Sequence, residues 1–211
     1  MCQFFRDDTY PCGSTHFCIT IFCEKDGITS ASFWKAMSLS QKTIWTIGHS
    51  TRTLEEFVGM LQAFSITMLA DVRHYPGSRK FPHFNKDELA RSLPRAGIRY
   101  EHIERLGGRR KANSDANHTA WRHPAFKGYA DYMQTESFLR GSERLADLAI
   151  TEPTACMCSE ALWWRCHRSM IADYLNVNGW LVLHILSLSK AAEHFFRVPA
   201  TLVEGKLVYA N

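Results

Sequence analysis

The sequence predicts an α/β fold: a three-layer sandwich with a mostly parallel sheet, helices on both faces and a small C-terminal hairpin. Three observations predict it. Short apolar runs rich in β-branched residues alternate along the chain with stretches of helical period. Most of those runs are nearly continuous in their hydrophobicity, as strands covered on both faces must be. Helical segments between successive strands make right-handed crossovers, which return each strand parallel to the last.

Thr43 to Gly48 is β-branched and aromatic and breaks at glycine, so it reads as a first buried strand. Thr53-Leu54-Glu55-Glu56 has capping-box spacing, and Leu54, Phe57, Val58, Leu61 and Phe64 share one face, predicting a helix over about 53–64. Ile66 to Val72 is the second strand, stopped by Arg73 and then by Pro76-Gly77. Asn85 stands where a second helix needs its cap, with Glu88 three residues on, Pro94 ending the helix early and Gly97 at its C-terminus. Ile98 to Ile103 alternates more than the other runs, which predicts a third strand near a sheet edge, closed by Leu106-Gly107-Gly108.

From Asn113 to Pro124 the chain is polar, carries His118, Trp121 and His123, and reads as a long loop with the character of a lid. Helices over about 126–133 and 136–149 follow. Thr154 to Met157 and Trp180 to Ile185 complete the strand series, separated by a helix with Met170, Ile171, Tyr174 and Leu175 on its apolar face and Gly179 at its end. Thr201 to Tyr209 folds back around Glu204-Gly205 as a terminal hairpin. The order βαβαβααβαβ leaves the order of strands within the sheet open.

Residues 1–36 stand apart, with Cys2, Cys12, Cys18 and Cys23 scattered through mixed polar and aromatic residues of no clear period. They read as an atypical extension, with Met37 as a candidate start, and residues 37–211 as a single α/β domain. The four cysteines include no close Cys-x-x-Cys pair, which argues against a metal knuckle. Seven cysteines is an odd number, and Cys156, Cys158 and Cys166 lie too close together for a secreted disulfide framework, so a reducing cytoplasm is expected. No apolar run is long enough to span a bilayer, and no membrane partner is expected. A net charge of +4 and a pI near 8.7 fall well short of a dedicated nucleic-acid coat.

In open parallel sheets, ligands bind outside the carboxyl ends of the strands. Those ends carry Gly48-His49-Ser50, Asp71-Val72-Arg73, Leu106-Gly107-Gly108 and Cys158-Ser159-Glu160. A lone His or Asp after a strand usually caps a turn, but four polar clusters on one rim ask for more than turn chemistry. Cys166-His167-Arg168 opens a helix, where free N–H groups favour an anion or a thiolate.

The candidate catalytic residues are therefore His49, Asp71, Cys158, Glu160, Cys166 and His167, with Ser50, Arg73, Arg79, Arg109 and Arg168 as candidate anion-binding residues. Cys158, Glu160, Cys166 and His167, with His49 opposite, have the donor atoms for a divalent metal such as zinc or iron, Cys158, Cys166 and His167 being the candidate ligands, although Cys-x7-Cys-His is not a standard zinc spacing. A phosphatase loop wants arginine six residues after its cysteine, and Trp164 stands there. Arg105, Arg109, Arg110 and Lys111, with Arg73, Arg79 and Lys80, suit phosphates, and Tyr75, Phe81 and Trp121 suit stacked bases. The expected partner is an anionic small molecule or a nucleic acid. An enzyme acting on such a substrate leads; a non-catalytic nucleic-acid module and a thiol or metal redox sensor stand beside it. The bland reading has Cys166 as packing and Arg168 paired with Glu160 or Asp71.

The set Thr46-Ile47-Gly48-His49-Ser50, Asp71-Val72-Arg73, Leu106-Gly107-Gly108, Met157-Cys158-Ser159-Glu160 and Cys166-His167-Arg168 resembles the bacterial domain of unknown function 488 family. The resemblance runs from about Thr43 to Ile185 and more weakly through His194 and the hairpin. It implies an intracellular protein with no established activity; some relatives carry a DNA-repair label. Ser159 departs from the alanine that relatives often carry, and leaves Cys158 and Glu160 in place.

Overall fold

The computed structural model describes residues 18–20, 42–111, 120–204 and 206–210. Its nine strands, among the described residues, are Cys18–Thr20 (β1), Thr43–Gly48 (β2), Met68–Asp71 (β3), Arg99–His102 (β4), Thr154–Cys158 (β5), Leu181–Ile185 (β6), Lys190–Glu193 (β7), Thr201–Val203 (β8) and Lys206–Val208 (β9). The α-helices are Leu54–Ala63 (α1), Lys86–Ser92 (α2), Pro124–Tyr132 (α3), Glu136–Thr151 (α4) and Arg168–Val177 (α5). The main sheet has the order β1-β7-β6-β2-β5-β3-β4, and β8 and β9 form the separate C-terminal hairpin. From β6 to β4 all pairings are parallel, while β7 and β1 add antiparallel at the other edge.

Alternation along the strands builds two cores. Trp45 and Ile47 of β2, Ala155 and Met157 of β5 and Leu183 of β6 face Phe57 and Leu61 of α1 and Leu89 of α2. Ile44 of β2, Cys156 and Cys158 of β5 and Val182 of β6 face Tyr129 of α3, Phe138 and Leu145 of α4, and Met170 and Ile171 of α5. Helices thus cover both faces of the sheet, as the apolar runs predict. The alternating run at Ile98 to Ile103 is the edge strand β4, as expected.

Local signals act largely as read. Thr53 and Glu56 form the capping box of α1: the Thr53 hydroxyl accepts from Glu56 N–H at 3.2 Å, and Thr53 N–H donates to the Glu56 carboxylate at 2.8 Å. After Pro94 intrudes, α2 tightens to a 3₁₀ turn that ends at Gly97 with φ 74°. Asn85 differs from its expected role. It precedes α2, but its side-chain oxygen accepts Ser78 N–H at 2.6 Å instead of capping, because the Pro76-Gly77 loop folds back over it. Two short antiparallel strands, β1 and β7, were not foreseen; at three and four residues they are too short for a period to register. Most of residues 1–36 and of the expected lid from Asn113 lie outside the described residues.

Candidate functional site

Parallel pairing in register brings the strand ends to one rim. Gly48 lies opposite Cys158, and Asp71 opposite both Met157 and His102. The chain continues the ladder past the strands: His49 N–H donates to Cys158 O at 3.0 Å, Ser50 N–H to Ser159 O at 2.9 Å and Val72 N–H to Met157 O at 3.0 Å. Gly48 is obligatory here, since a Cβ on it would lie 1.8 Å from the Glu160 carbonyl oxygen.

At the centre, the Cys158 and Cys166 sulfurs approach His167 Nδ1 to 3.9 and 3.5 Å, and all three atoms lie within 4.8 Å of one another. His167 Nε2 is 2.9 Å from the Val72 carbonyl. A carbonyl only accepts, so Nε2 carries a hydrogen, and it is Nδ1 that faces both sulfurs, as a lone pair whenever the ring is neutral. Gly108 packs against that imidazole; a Cβ on it would sit 2.9 Å from Nδ1. A hydrogen bond from Cys166, with the Arg168 charge nearby and against the opposing effect of burial, holds the Cys158 thiol well below its usual range. Burial and then the neighbouring Cys158 push Cys166 well above it. Cys156, two residues before Cys158 and fully buried, is pushed up to about 12 by burial and stays a packing thiol.

Arg168 is 1% exposed and pairs with neither Glu160 nor Asp71 through their carboxylates. Its Nη2 donates to the Glu160 carbonyl at 2.5 Å and its Nη1 to Thr46 Oγ1 at 3.0 Å, while Nε meets no acceptor among the described residues. The carboxylate of Glu160 belongs to an exposed side chain and Asp71 is held by Arg73 and Tyr100, so the alternative pairing of Arg168 with either carboxylate is not found. Arg168 N–H also donates to Cys166 Sγ at 3.5 Å. Behind Arg168 runs a buried chain that sequence reading missed. Thr46 Oγ1 lies 2.7 Å from His184 Nδ1, His184 Nε2 lies 3.0 Å from His194 Nδ1, and His194 Nε2 lies 2.8 Å from Asp173 Oδ1. Tyr209 donates to Asp173 Oδ2 at 2.8 Å, and Trp163 stacks on His184 at 4.0 Å. Thr46 and His184 are buried polar residues in largely apolar strands, and Asp173 lies on the buried face of α5; those were the available signals.

A second cluster adjoins the first. Arg73 Nε and Nη2 grip Asp71 Oδ1 and Oδ2 at 2.8 and 2.5 Å, Nη2 also donates to Phe84 O, and Tyr100 OH donates to Asp71 Oδ2 at 2.8 Å. Both Asp71 oxygens are thereby engaged, and burial with the Asp71 charge pushes the Tyr100 phenol up, keeping it a donor. His49 stacks on Phe84 and donates from Nδ1 to Ser50 O, with Nε2 turned to Arg73 Nη1 at 3.4 Å. Burial first and Arg73 second lower its pKa to about 4. Ser50 takes a positive φ of 53° at the turn. Arg79 and Arg109 stand exposed on the outer rim, Arg109 with its guanidinium 5.8 Å from the Tyr75 ring.

The structure thus brings Cys158, Cys166, His167 and Arg168 into one cluster and places Asp71, Arg73 and His49 in a paired network beside it. Glu160 contributes its backbone, and Arg79 and Arg109 lie outside the cluster.

Fold and rim together define a parallel α/β protein whose strand ends converge on two cysteines and a histidine. The model of the domain of unknown function DUF488 matches residues 53–175, more than half of the chain. The chain belongs to the DUF488 family. No curated protein and no solved structure matches it. No helix among the described residues is long and apolar enough to cross a membrane.

Proposed function

We propose that this protein is an enzyme acting on an anionic, phosphate-bearing substrate at the carboxyl rim of its sheet, with Cys158, Cys166 and His167 as the reacting centre. The observation that carries this reading is the convergence of two buried sulfurs on one imidazole nitrogen, beside a buried arginine that has no carboxylate partner among the described residues. A buried guanidinium without a counter-carboxylate is costly unless another anion offsets it, and sulfur or substrate at this centre supplies one. Packing alone accounts for a buried cysteine; it does not account for three donor atoms aimed at one point. Arg79, Lys80, Arg109 and Lys111 are exposed beside the rim and suit the outer part of an extended anion. A reducing, cytoplasmic setting suits the free thiols.

The exposed Tyr75 ring beneath Arg109 favours a second reading, a nucleic-acid module in which the cysteines are structural. One experiment separates the two. Turnover of a panel of phosphomonoesters, phosphodiesters and nucleotides is measured for wild type, Cys158→Ser and Cys166→Ser, with single-stranded DNA binding followed in the same preparations. Turnover by wild type that falls at least ~100-fold in Cys158→Ser, with folding and any DNA binding intact, is the expected result. Tight, salt-dependent DNA binding without turnover in any preparation favours the module.

A further inference from the structure

From the arrangement of Cys158 Sγ, Cys166 Sγ and His167 Nδ1 we infer that the centre is a three-ligand site for a zinc-class divalent cation, with its fourth position left for water or substrate. The inference rests on the proposed function in one respect only, that this cluster is the working centre.

The two sulfur-to-nitrogen separations fit such an ion. Zinc bonds of about 2.3 Å to sulfur and about 2.0 Å to nitrogen, at tetrahedral angles, set S–N edges near 3.5 Å. The two observed S–N separations are 3.5 and 3.9 Å. Two thiolates and an imidazole form a borderline-soft donor set, which suits zinc over magnesium or calcium.

The surroundings fit as well. A metal-bound imidazole characteristically donates its other N–H to a carbonyl or carboxylate, which fixes the ring and its tautomer; Val72 O does this for His167. The Arg168 N–H directed at Cys166 Sγ is the kind of outer bond that steadies a thiolate ligand. Gly108 sets no side chain against Nδ1. One ligand ends a central strand and the other two form the short turn that enters α5, so each is held at the end of a regular element.

The other thiol chemistries leave part of this arrangement without use. A single nucleophilic cysteine has no need of a second sulfur on the same nitrogen. A redox pair has no need of an imidazole lone pair held toward both sulfurs by a third residue. Among the described residues no further Cys, His, Asp or Glu joins the three, and a three-ligand set is the pattern of catalytic rather than structural zinc. Such an ion supplies Lewis acidity to the oxygen donor that takes its fourth position.

The test uses the full chain, produced without an affinity tag. Metal content is measured by elemental analysis, and after chelation the protein is titrated with cobalt(II) alone while thiolate-to-cobalt charge-transfer absorption is followed. About one ion per chain and a saturating charge-transfer band are expected of wild type. Cys158→Ser and Cys166→Ser lose both, and Cys156→Ser keeps both. A variant with Cys2, Cys12, Cys18 and Cys23 all replaced by serine also keeps both, which separates this site from the N-terminal cysteines. The cobalt band is read on wild type, so the answer does not depend on any variant folding. Absence of ion and band, or their loss with the N-terminal cysteines instead, overturns the inference. Absence of both alongside turnover that requires Cys158 overturns the metal and keeps the proposed enzyme; an ion present with turnover indifferent to Cys158 does the reverse.

Discussion

The carbonyl of Val72, one residue past the end of β3, accepts the Nε2 hydrogen of His167 at 2.9 Å and so decides which imidazole nitrogen meets the cysteines. Strand β3 and helix α5 are far apart in sequence, yet this bond makes the first an orienting element for a residue at the start of the second.

Gly108 reports on the same ring from its other side. An alanine there puts a Cβ 2.9 Å from Nδ1 and 3.1 Å from Cγ, so the imidazole must shift by a few tenths of an ångström. Gly108→Ala is expected to weaken cobalt(II) binding by about 10-fold, the scale of a disturbed outer shell, while costing only about 1 kcal/mol of stability. Titration of both proteins checks this, and equal affinities would show that the ring position does not matter to the site.

Gly48 carries a heavier steric constraint. Its missing side chain lets the Glu160 carbonyl approach β2 and hold Arg168, and a Cβ would lie 1.8 Å from that oxygen. The obstruction is backbone, with no flexible end to move aside. Gly48→Ala should cost about 3 kcal/mol or more in urea unfolding; a loss under about 1 kcal/mol would mean that the 160 carbonyl relocates freely.

Asp71 tests whether the second network is structural. It is fully buried, holds Arg73 through both oxygens and accepts from Tyr100. Removing its charge leaves a buried guanidinium unpaired, and Asp71→Asn should cost on the order of 3 kcal/mol. Should stability stay unchanged while turnover disappears, Asp71 takes part in the reaction instead.

The layers were legible because burial on two faces writes itself as apolar runs, and the capping box at Thr53 and Glu56 could be read from four residues. The rim clusters were legible because parallel sheets put their loops at one end. Partners were not. Nothing local says that Arg168 meets a carbonyl of Glu160, or that Thr46, His184, His194 and Asp173 join into one chain, because those contacts depend on strand order. The Cys-x7-Cys-His spacing hides the approach of the two sulfurs to one imidazole for the same reason: Cys158 ends a strand, Cys166 and His167 stand at the head of a helix, and only the fold closes the gap.

His184 gives that hidden chain a pH signature. It is 1% exposed and stacked on Trp163, and it faces His194 and Thr46, with Arg168 beyond Thr46 and Asp173 beyond His194. Burial, then His194 and Arg168, hold its pKa well below the ordinary 6.5, so the folded ring is neutral where the unfolded one gains a proton. Below 6.5 the unfolded state binds more protons, and stability must fall with pH. The contribution is therefore complete above about 6.5 and is lost progressively as pH drops toward the lowered folded value. His184→Asn breaks the chain and should be less stable than wild type at pH near 7.5, yet it should lose less on going to about 5.5, since it has no ring to protonate there. His49, whose pKa is also depressed, is common to both proteins and cancels in the difference. Urea unfolding at the two pH values reads the two slopes. Equal losses in the two proteins would mean that His184 is not kept neutral by the fold.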